Sequence, residues 1–178
     1  MSDHKIDEVL IAEHRIQQRN RELVAEMAKD YKGGELILIG ILRGSFVFLA
    51  DLVRQFFAED IHPRVDFMLL ESYVGVESAG EVRLAKDFSI DVTGSQVIIV
   101  DDILDTGRTL KMADRHVMAR GAANVKTCVL LDKPARRAVE YHSDYVGFEI
   151  ENSFVVGYGL DYNGLYRDLP YIARVQTD

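Results

Sequence analysis

Val97-Ile98-Ile99-Val100-Asp101-Asp102-Ile103-Leu104-Asp105-Thr106-Gly107-Arg108-Thr109-Leu110 decides how the rest of the chain is read. Four β-branched residues in a row predict a fully buried strand. Two carboxylates stand at its carboxyl end. A short hydroxylated loop follows, and Leu110, Met112, Ala113, His116 and Val117 then recur at helical spacing. Strand, polar loop and helix N-terminus thus succeed one another directly. In open α/β sheets ligands sit outside the carboxyl ends of strands. Hydroxyls, loop N–H groups and the helix dipole together suit a phosphate. The acidic pair suits sugar hydroxyls, or Mg²⁺ through water. A purely structural strand-turn-helix explains the apolar positions. It leaves unexplained three carboxylates, two threonines and a glycine within nine residues. No G-x-x-x-x-G-K-[ST] occurs, so the stretch is not a P-loop. Asp105-Thr106-Gly107 also matches the aspartic-protease triplet, which needs a β-rich setting rather than a following helix.

The stretch resembles the PRPP-binding motif of the phosphoribosyltransferases: an apolar strand, two acids, two apolar residues and D-[ST]-G-x-T. Asp101 stands where that family often has Glu. The resemblance implies that Asp101 and Asp102 hold ribose hydroxyls, and that Thr106, Gly107, Arg108 and Thr109 cradle the 5′-phosphate. Asp105 is then the candidate catalytic residue, a general base or electrostatic partner near the purine N7 proton.

The whole-chain properties fit that picture. With 178 residues, 48% of them apolar, one domain with a sizeable core is expected. A net charge of −8 argues against a general nucleic-acid surface. It also calls for a divalent cation and local basic residues around any anionic substrate. Cys128, the single cysteine, lies in an apolar strand pattern and reads as buried and inert. The five histidines show no metal-ligand spacing. Residues 1–15 carry charges throughout, with no signal-peptide core, and the longest apolar run, Leu36–Leu42, is too short to span a bilayer. A soluble cytoplasmic protein without a membrane partner is expected.

Taken in order, Ile11, Ile16, Leu23, Val24, Met27 and Tyr31 space out as one face of a long helix ended by Gly33-Gly34. A buried strand over 36–41 follows, then a helix over 44–57 that is apolar on most faces, hence deep in the core or at a subunit contact. Strands are expected over 65–72, from about 82, and over 125–131, 145–150, 154–156 and 172–175. Residues 73–81 read as a glycine-bearing hairpin loop. Early alternation of strands and helices with short strands clustered late predicts an α/β protein with a parallel-sheet core. Joined to the resemblance, this means a phosphoribosyltransferase core flanked by helices, with a small hood from the chain ends. The expected organisation is one domain over 1–178, its hood formed by the N-terminal segment and about 150–178.

The resemblance runs from about Leu36 to Tyr171. Taken alone, Arg43 in Leu42-Arg43-Gly44-Ser45 reads equally as a surface arginine, and Lys133 in Leu131-Asp132-Lys133-Pro134 as a surface lysine. In the hypoxanthine-guanine branch of the family, the loop matching Leu42, Arg43 and Gly44 holds pyrophosphate, and it carries a non-proline cis peptide that falls between Leu42 and Arg43 here. Lys133 matches the lysine that reads the purine 6-oxo group. An ammonium has only donors, so it meets a carbonyl well and the amino group of adenine badly. The run 154–163, Phe-Val-Val-Gly-Tyr-Gly-Leu-Asp-Tyr-Asn, is a second long match. It implies Phe154 stacking on the purine, the Val155 backbone at the base edge, Asp161 on Mg²⁺ and Arg167 at the pyrophosphate. The metal set is thus Asp161 with Asp101 and Asp102. Ser72-Tyr73 matches the start of the family's mobile catalytic loop and marks the expected lid.

The implied activity is Mg²⁺-dependent transfer of phosphoribose from PRPP to N9 of a 6-oxopurine in purine salvage, releasing pyrophosphate. A homodimer or homotetramer is expected, with the 44–57 helix at the contact. One alternative is a regulatory protein that keeps the PRPP fold and binds nucleic acid, against which the charge and the joint presence of Asp105, Lys133, Phe154 and Asp161 argue. The other is a xanthine-preferring transferase, since the sequence does not rank hypoxanthine, guanine and xanthine.

Overall fold

The computed structural model describes residues 6–72 and 82–176. In chain order the elements are β1 (Ile6–Ile11), α1 (Glu13–Asp30), β2 (Leu36–Leu42), α2 (Phe46–Gln55), a 3₁₀ turn (Phe56–Glu59), β3 (Arg64–Ser72) and β4 (Val82–Lys86). Then come β5 (Gln96–Leu104), α3 (Arg108–Ala119), β6 (Asn124–Asp132), a 3₁₀ turn (Pro134–Arg136), β7 (Tyr145–Glu149), β8 (Val155–Val156) and β9 (Ile172–Val175). Six strands form one sheet in the order β4-β3-β2-β5-β6-β7, all parallel except the β3–β4 pair.

Alternate side chains of the central strands enter opposite layers. Leu36, Leu38, Ile98, Val100, Cys128 and Leu130 pack with α1 and α2 on one face. Ile37, Ile39, Ile41, Val97, Ile99 and Val129 pack with Leu110, Ala113 and Val117 of α3 on the other. Strands buried on both sides are why β2, β5 and β6 read as continuous apolar runs rather than alternating ones. From β2 the chain crosses by α2 to β3 on one side; from β5 it crosses by α3 to β6 on the other. The direction of winding therefore reverses between β2 and β5. A crevice opens there, at the carboxyl ends of those two strands.

Both chain ends meet in a second sheet, ordered β1-β9-β8 and antiparallel. This is the hood expected from the clustered short strands, with one correction. Residues 6–11 form a strand, and Ile11 ends that strand instead of opening a helix; α1 starts at Glu13. The burial of β1 does not alternate, and its partner is the far end of the chain, so no local periodicity marks it. A smaller correction concerns α2, which starts at Phe46 because Arg43 to Ser45 turn the chain first and the Ser45 hydroxyl donates to the Ile41 carbonyl at 2.6 Å. The expected loop over 73–81 lies outside the described residues. Among those described, no helix is long and apolar enough to cross a membrane. Cys128 is fully buried, and burial pushes its thiol well above the ordinary range.

Candidate active site

The crevice at the switch point holds a cavity of about 540 Å³ lined by Leu42, Arg43 and Gly44 from the end of β2 and by the continuous run 101–110 from β5 into α3. Strand β5 stays in the sheet through both acids, pairing Ile103 with Leu131 and Leu104 with Asp132. The polar loop is therefore only Asp105 to Gly107. Gly107 caps α3 with φ 84°, a left-handed conformation that glycine adopts without penalty. A Cβ there would press on Arg137, Val139 and Tyr141 at 3.1–3.2 Å. The Thr106 carbonyl accepts from the N–H groups of Ala138 and Val139 at 3.0 and 3.2 Å. The segment after β6 thus braces the loop from outside and leaves the first turn of α3 facing the cavity.

Opposite it, the Leu42–Arg43 peptide is cis. A Cβ on Gly44 would fall 1.6 Å from Oδ2 of Asp102, so the Asp102 carboxylate lies against the Gly44 backbone as closely as only glycine permits. A Cβ on Gly159 would in turn lie 2.1 Å from the Gly44 carbonyl.

Asp101 is buried and its Oδ1 accepts from the Asp102 N–H at 3.0 Å. Burial, then the charge of Asp102, pushes the Asp101 carboxyl well above the usual carboxylate range. Burial also raises Asp102, against hydrogen bonds and the pull of Arg167. A cation or hydroxyl donors in the cavity would favour the ionised pair.

A second cavity, about 320 Å³, is lined by Ile103, Asp105, Lys133, Arg136, Phe154 and Val155 among others. Lys133 is only 8% exposed, and burial lowers its proton affinity. Its Nζ donates to the Ser153 carbonyl at 2.7 Å. Phe154 keeps an exposed ring, held edge-on to Tyr162 at 5.2 Å. Asp105 lies in the walls of both cavities.

Asp161 and Arg167 line neither of these two cavities. They pair with each other at 2.7 Å, and Asp161 Oδ2 also accepts from the Gly164 N–H at 2.7 Å. Arg167 donates to the Gly159 carbonyl at 2.5 Å. Through the contact of Gly159 with Gly44 the pair borders the Leu42–Gly44 loop. Ser72 ends β3 with its backbone opposite Val82, and Tyr73 lies outside the described residues. Two arginines escaped the sequence reading. Arg136 lines both cavities and Arg137 donates to the carbonyls of Leu104 and Asp105. The signal was the Arg136-Arg137 pair, three residues after Lys133 at the carboxyl edge. Among the described residues no three His, Cys, Asp or Glu side chains gather as a ready-made metal cage.

Comparison with known proteins adds the following. A family model described as a phosphoribosyl transferase domain matches residues 8–163. A hypoxanthine-guanine phosphoribosyltransferase of Lactococcus lactis is 47% identical over 177 residues, 99% of this chain and 94% of that protein. The crystal structure of a hypoxanthine phosphoribosyltransferase from Staphylococcus aureus superposes with a TM-score of 0.89 at 44% identity, covering 96% of this chain and 92% of the other. A Trypanosoma cruzi hypoxanthine phosphoribosyl transferase, studied for the role of its C-terminal region in oligomeric state and activity, superposes with a TM-score of 0.91 at 38% identity, covering 99% and 94%.

Proposed function

The chain belongs to the phosphoribosyltransferase family, and from that membership we propose that it transfers phosphoribose from PRPP to a 6-oxopurine, hypoxanthine or guanine, in purine salvage. One observation carries the reading. Asp105 stands in the wall common to the cavity lined by the phosphate-type loop and the cavity lined by Lys133 and Phe154. A base bound in the second cavity and a ribose held in the first would meet at that wall.

In this reading the loop Asp105–Thr109 and the first turn of α3 hold the 5′-phosphate through hydroxyls, backbone N–H groups and the helix dipole. Leu42, Arg43 and Gly44 offer the pyrophosphate a backbone cradle, with Arg167 behind it. Asp101 and Asp102 take the ribose hydroxyls. Lys133 exchanges the Ser153 carbonyl for the purine 6-oxo group, Phe154 lies against the ring and the Val155 backbone meets its edge. Asp105 accepts or shares the N7 proton as N9 bonds to C1 of the ribose. Ser72 and Tyr73 would begin a cover that excludes water from an oxocarbenium-like centre.

The donor set fits Mg²⁺, which binds through one or two carboxylates and completes its shell with substrate oxygens and water. Asp101 and Asp102, whose proton affinity is raised by burial, gain most from such a charge. Both oxygens of Asp161 are engaged by Arg167 and Gly164, so Asp161 would join only by releasing Arg167. The ion would supply charge neutralisation to the leaving pyrophosphate. We place the protein in the cytoplasm and read residues 1–178 as one functional unit that assembles with copies of itself.

The test is direct. Purified protein with PRPP and Mg²⁺ should form nucleoside 5′-monophosphate and pyrophosphate from hypoxanthine and guanine, compete weakly or not at all for adenine, and rank xanthine. Absence of nucleotide from every 6-oxopurine would overturn the reading.

A further inference from the structure

Asp105 is held twice, by consecutive arginines. Arg137 is half-buried and fixes the backbone: it donates to the Leu104 and Asp105 carbonyls and pairs with Asp132. Arg136 fixes the side chain: its Nε donates to Asp105 Oδ1 at 3.0 Å and its outer nitrogen to Oδ2 at 3.5 Å. The base of Arg136 is rigid, because it ends a 3₁₀ turn that Pro134 opens and its own N–H donates to the Lys133 carbonyl at 3.0 Å. Only the guanidinium is free to move. Its side chain is 49% exposed and that of Asp105 35%, so the pair sits in solvent at the mouth shared by both cavities. An ion pair that exposed adds little to stability. What a guanidinium fork does supply is orientation, since two donors set the plane of a carboxylate where one does not.

The fork is uneven. Oδ1 carries the close contact, and Oδ2 the distant one. A purine entering between Lys133 and Phe154 would find Oδ2 already loosely held while Oδ1 stays anchored. We propose that Arg136 is a positioning residue for transfer, anchoring Asp105 through Oδ1 and presenting Oδ2 at the junction of the two cavities. Arg136 then touches neither the ribose nor the purine and acts only through Asp105. The proposal rests on the role given to Asp105 above.

The experiment is a double-mutant cycle on the full chain with PRPP, Mg²⁺ and hypoxanthine. Arg136→Gln should lower kcat about tenfold, within the range that misplacing a catalytic group produces, and change the KM for PRPP less than about twofold. Its melting temperature should stay within about 2 °C of the parent, as expected for an exposed pair. Arg136→Lys, which can hold Oδ1 but cannot fork, should recover part of kcat. In an Asp105→Asn background, Arg136→Gln should cost less than about twofold, because coupled groups are not additive. An undiminished loss in that background, an equal rise in the KM for PRPP, or normal turnover by Arg136→Gln would overturn the proposal. Near-normal turnover by Asp105→Asn alone would instead overturn the reading of Asp105, so the two failures are distinguishable.

Discussion

Gly44 and Asp102 occupy the same space but for one atom: a Cβ on Gly44 would sit 1.6 Å from Asp102 Oδ2 and 2.4 Å from its Cγ. The contact joins the ends of β2 and β5, the two strands between which the sheet reverses its winding. The Asp102 backbone is fixed, since its N–H donates to the Asp101 carboxylate, so a carboxylate pushed off Gly44 would turn into the cavity that it lines.

Gly44→Ala should therefore displace the acid or the Leu42–Gly44 loop. Overpacking of this kind costs about 1–3 kcal/mol. The larger effect is expected on ligand binding, with kcat/KM for PRPP falling about 10²-fold, as a misplacement of about 1 Å can produce. Calorimetric titration with PRPP and Mg²⁺ against steady-state rates checks this; unchanged PRPP affinity would refute it.

Lys133→Met removes a donor while keeping the bulk of the chain. The carbonyl of Ser153 loses its partner, and in the proposed binding mode so would the purine 6-oxo group. A site built around a hydrogen bond discriminates strongly, so kcat/KM for hypoxanthine should fall about 10²-fold or more. The KM for PRPP should barely change, since Lys133 lies in the second cavity and not the first. Competition between hypoxanthine and adenine reads the outcome directly.

Asp66 governs the stability of the strand that borders the site. Burial raises its pKa, but hydrogen bonds from the N–H groups of Phe67, Ser89 and Ile90 and from the Ser89 hydroxyl outweigh this and hold it below the ordinary value. These bonds fasten the segment after β4 to β3. The folded state thus binds the proton less tightly than the unfolded chain. The stability they contribute is fully present above the ordinary value of 3.8 and drains as pH falls through the lowered one. Asp66→Asn should cost about 1–2 kcal/mol at pH 7, and the difference should shrink in acid. Urea melts at pH 7 and pH 3 test both parts.

Much of this was legible in the chain because it is local. The run 97–110 places strand, acids, loop and helix within one stretch, and the structure keeps them in that order around one cavity. Lys133 and Phe154 were legible as family matches and do share a cavity. What the sequence hid depends on distant pairing. β1 has no alternating pattern and exists through β9. Arg136 reaches Asp105 only because β6 runs parallel to β5 in a register that puts Asp132 beside Leu104. No spacing rule within either segment encodes that meeting.

The helix over 44–57, expected to lie deep in the core or at a subunit contact, is part core and part open surface. Phe48, Leu49, Leu52 and Phe56 are fully buried, whereas Phe46 is 44% exposed and Phe57 81%. A Cβ on Gly40 would meet both Leu49 and the ring of Phe67, so α2 and the Phe67 side chain lie on the same face of the sheet. Val65 and Phe67, alternate residues of β3 and so on one face, are exposed there as well. Large aromatic side chains left open along the end of a helix and the neighbouring strand mark an interaction surface. A second copy of the chain is the occupant proposed above. Replacing Phe46 and Phe57 together by Glu should shift sedimentation at micromolar concentration toward the 20.1 kDa monomer. The fold should survive, because neither side chain is buried. An unchanged assembly mass, with the melting temperature intact, would place the contact elsewhere.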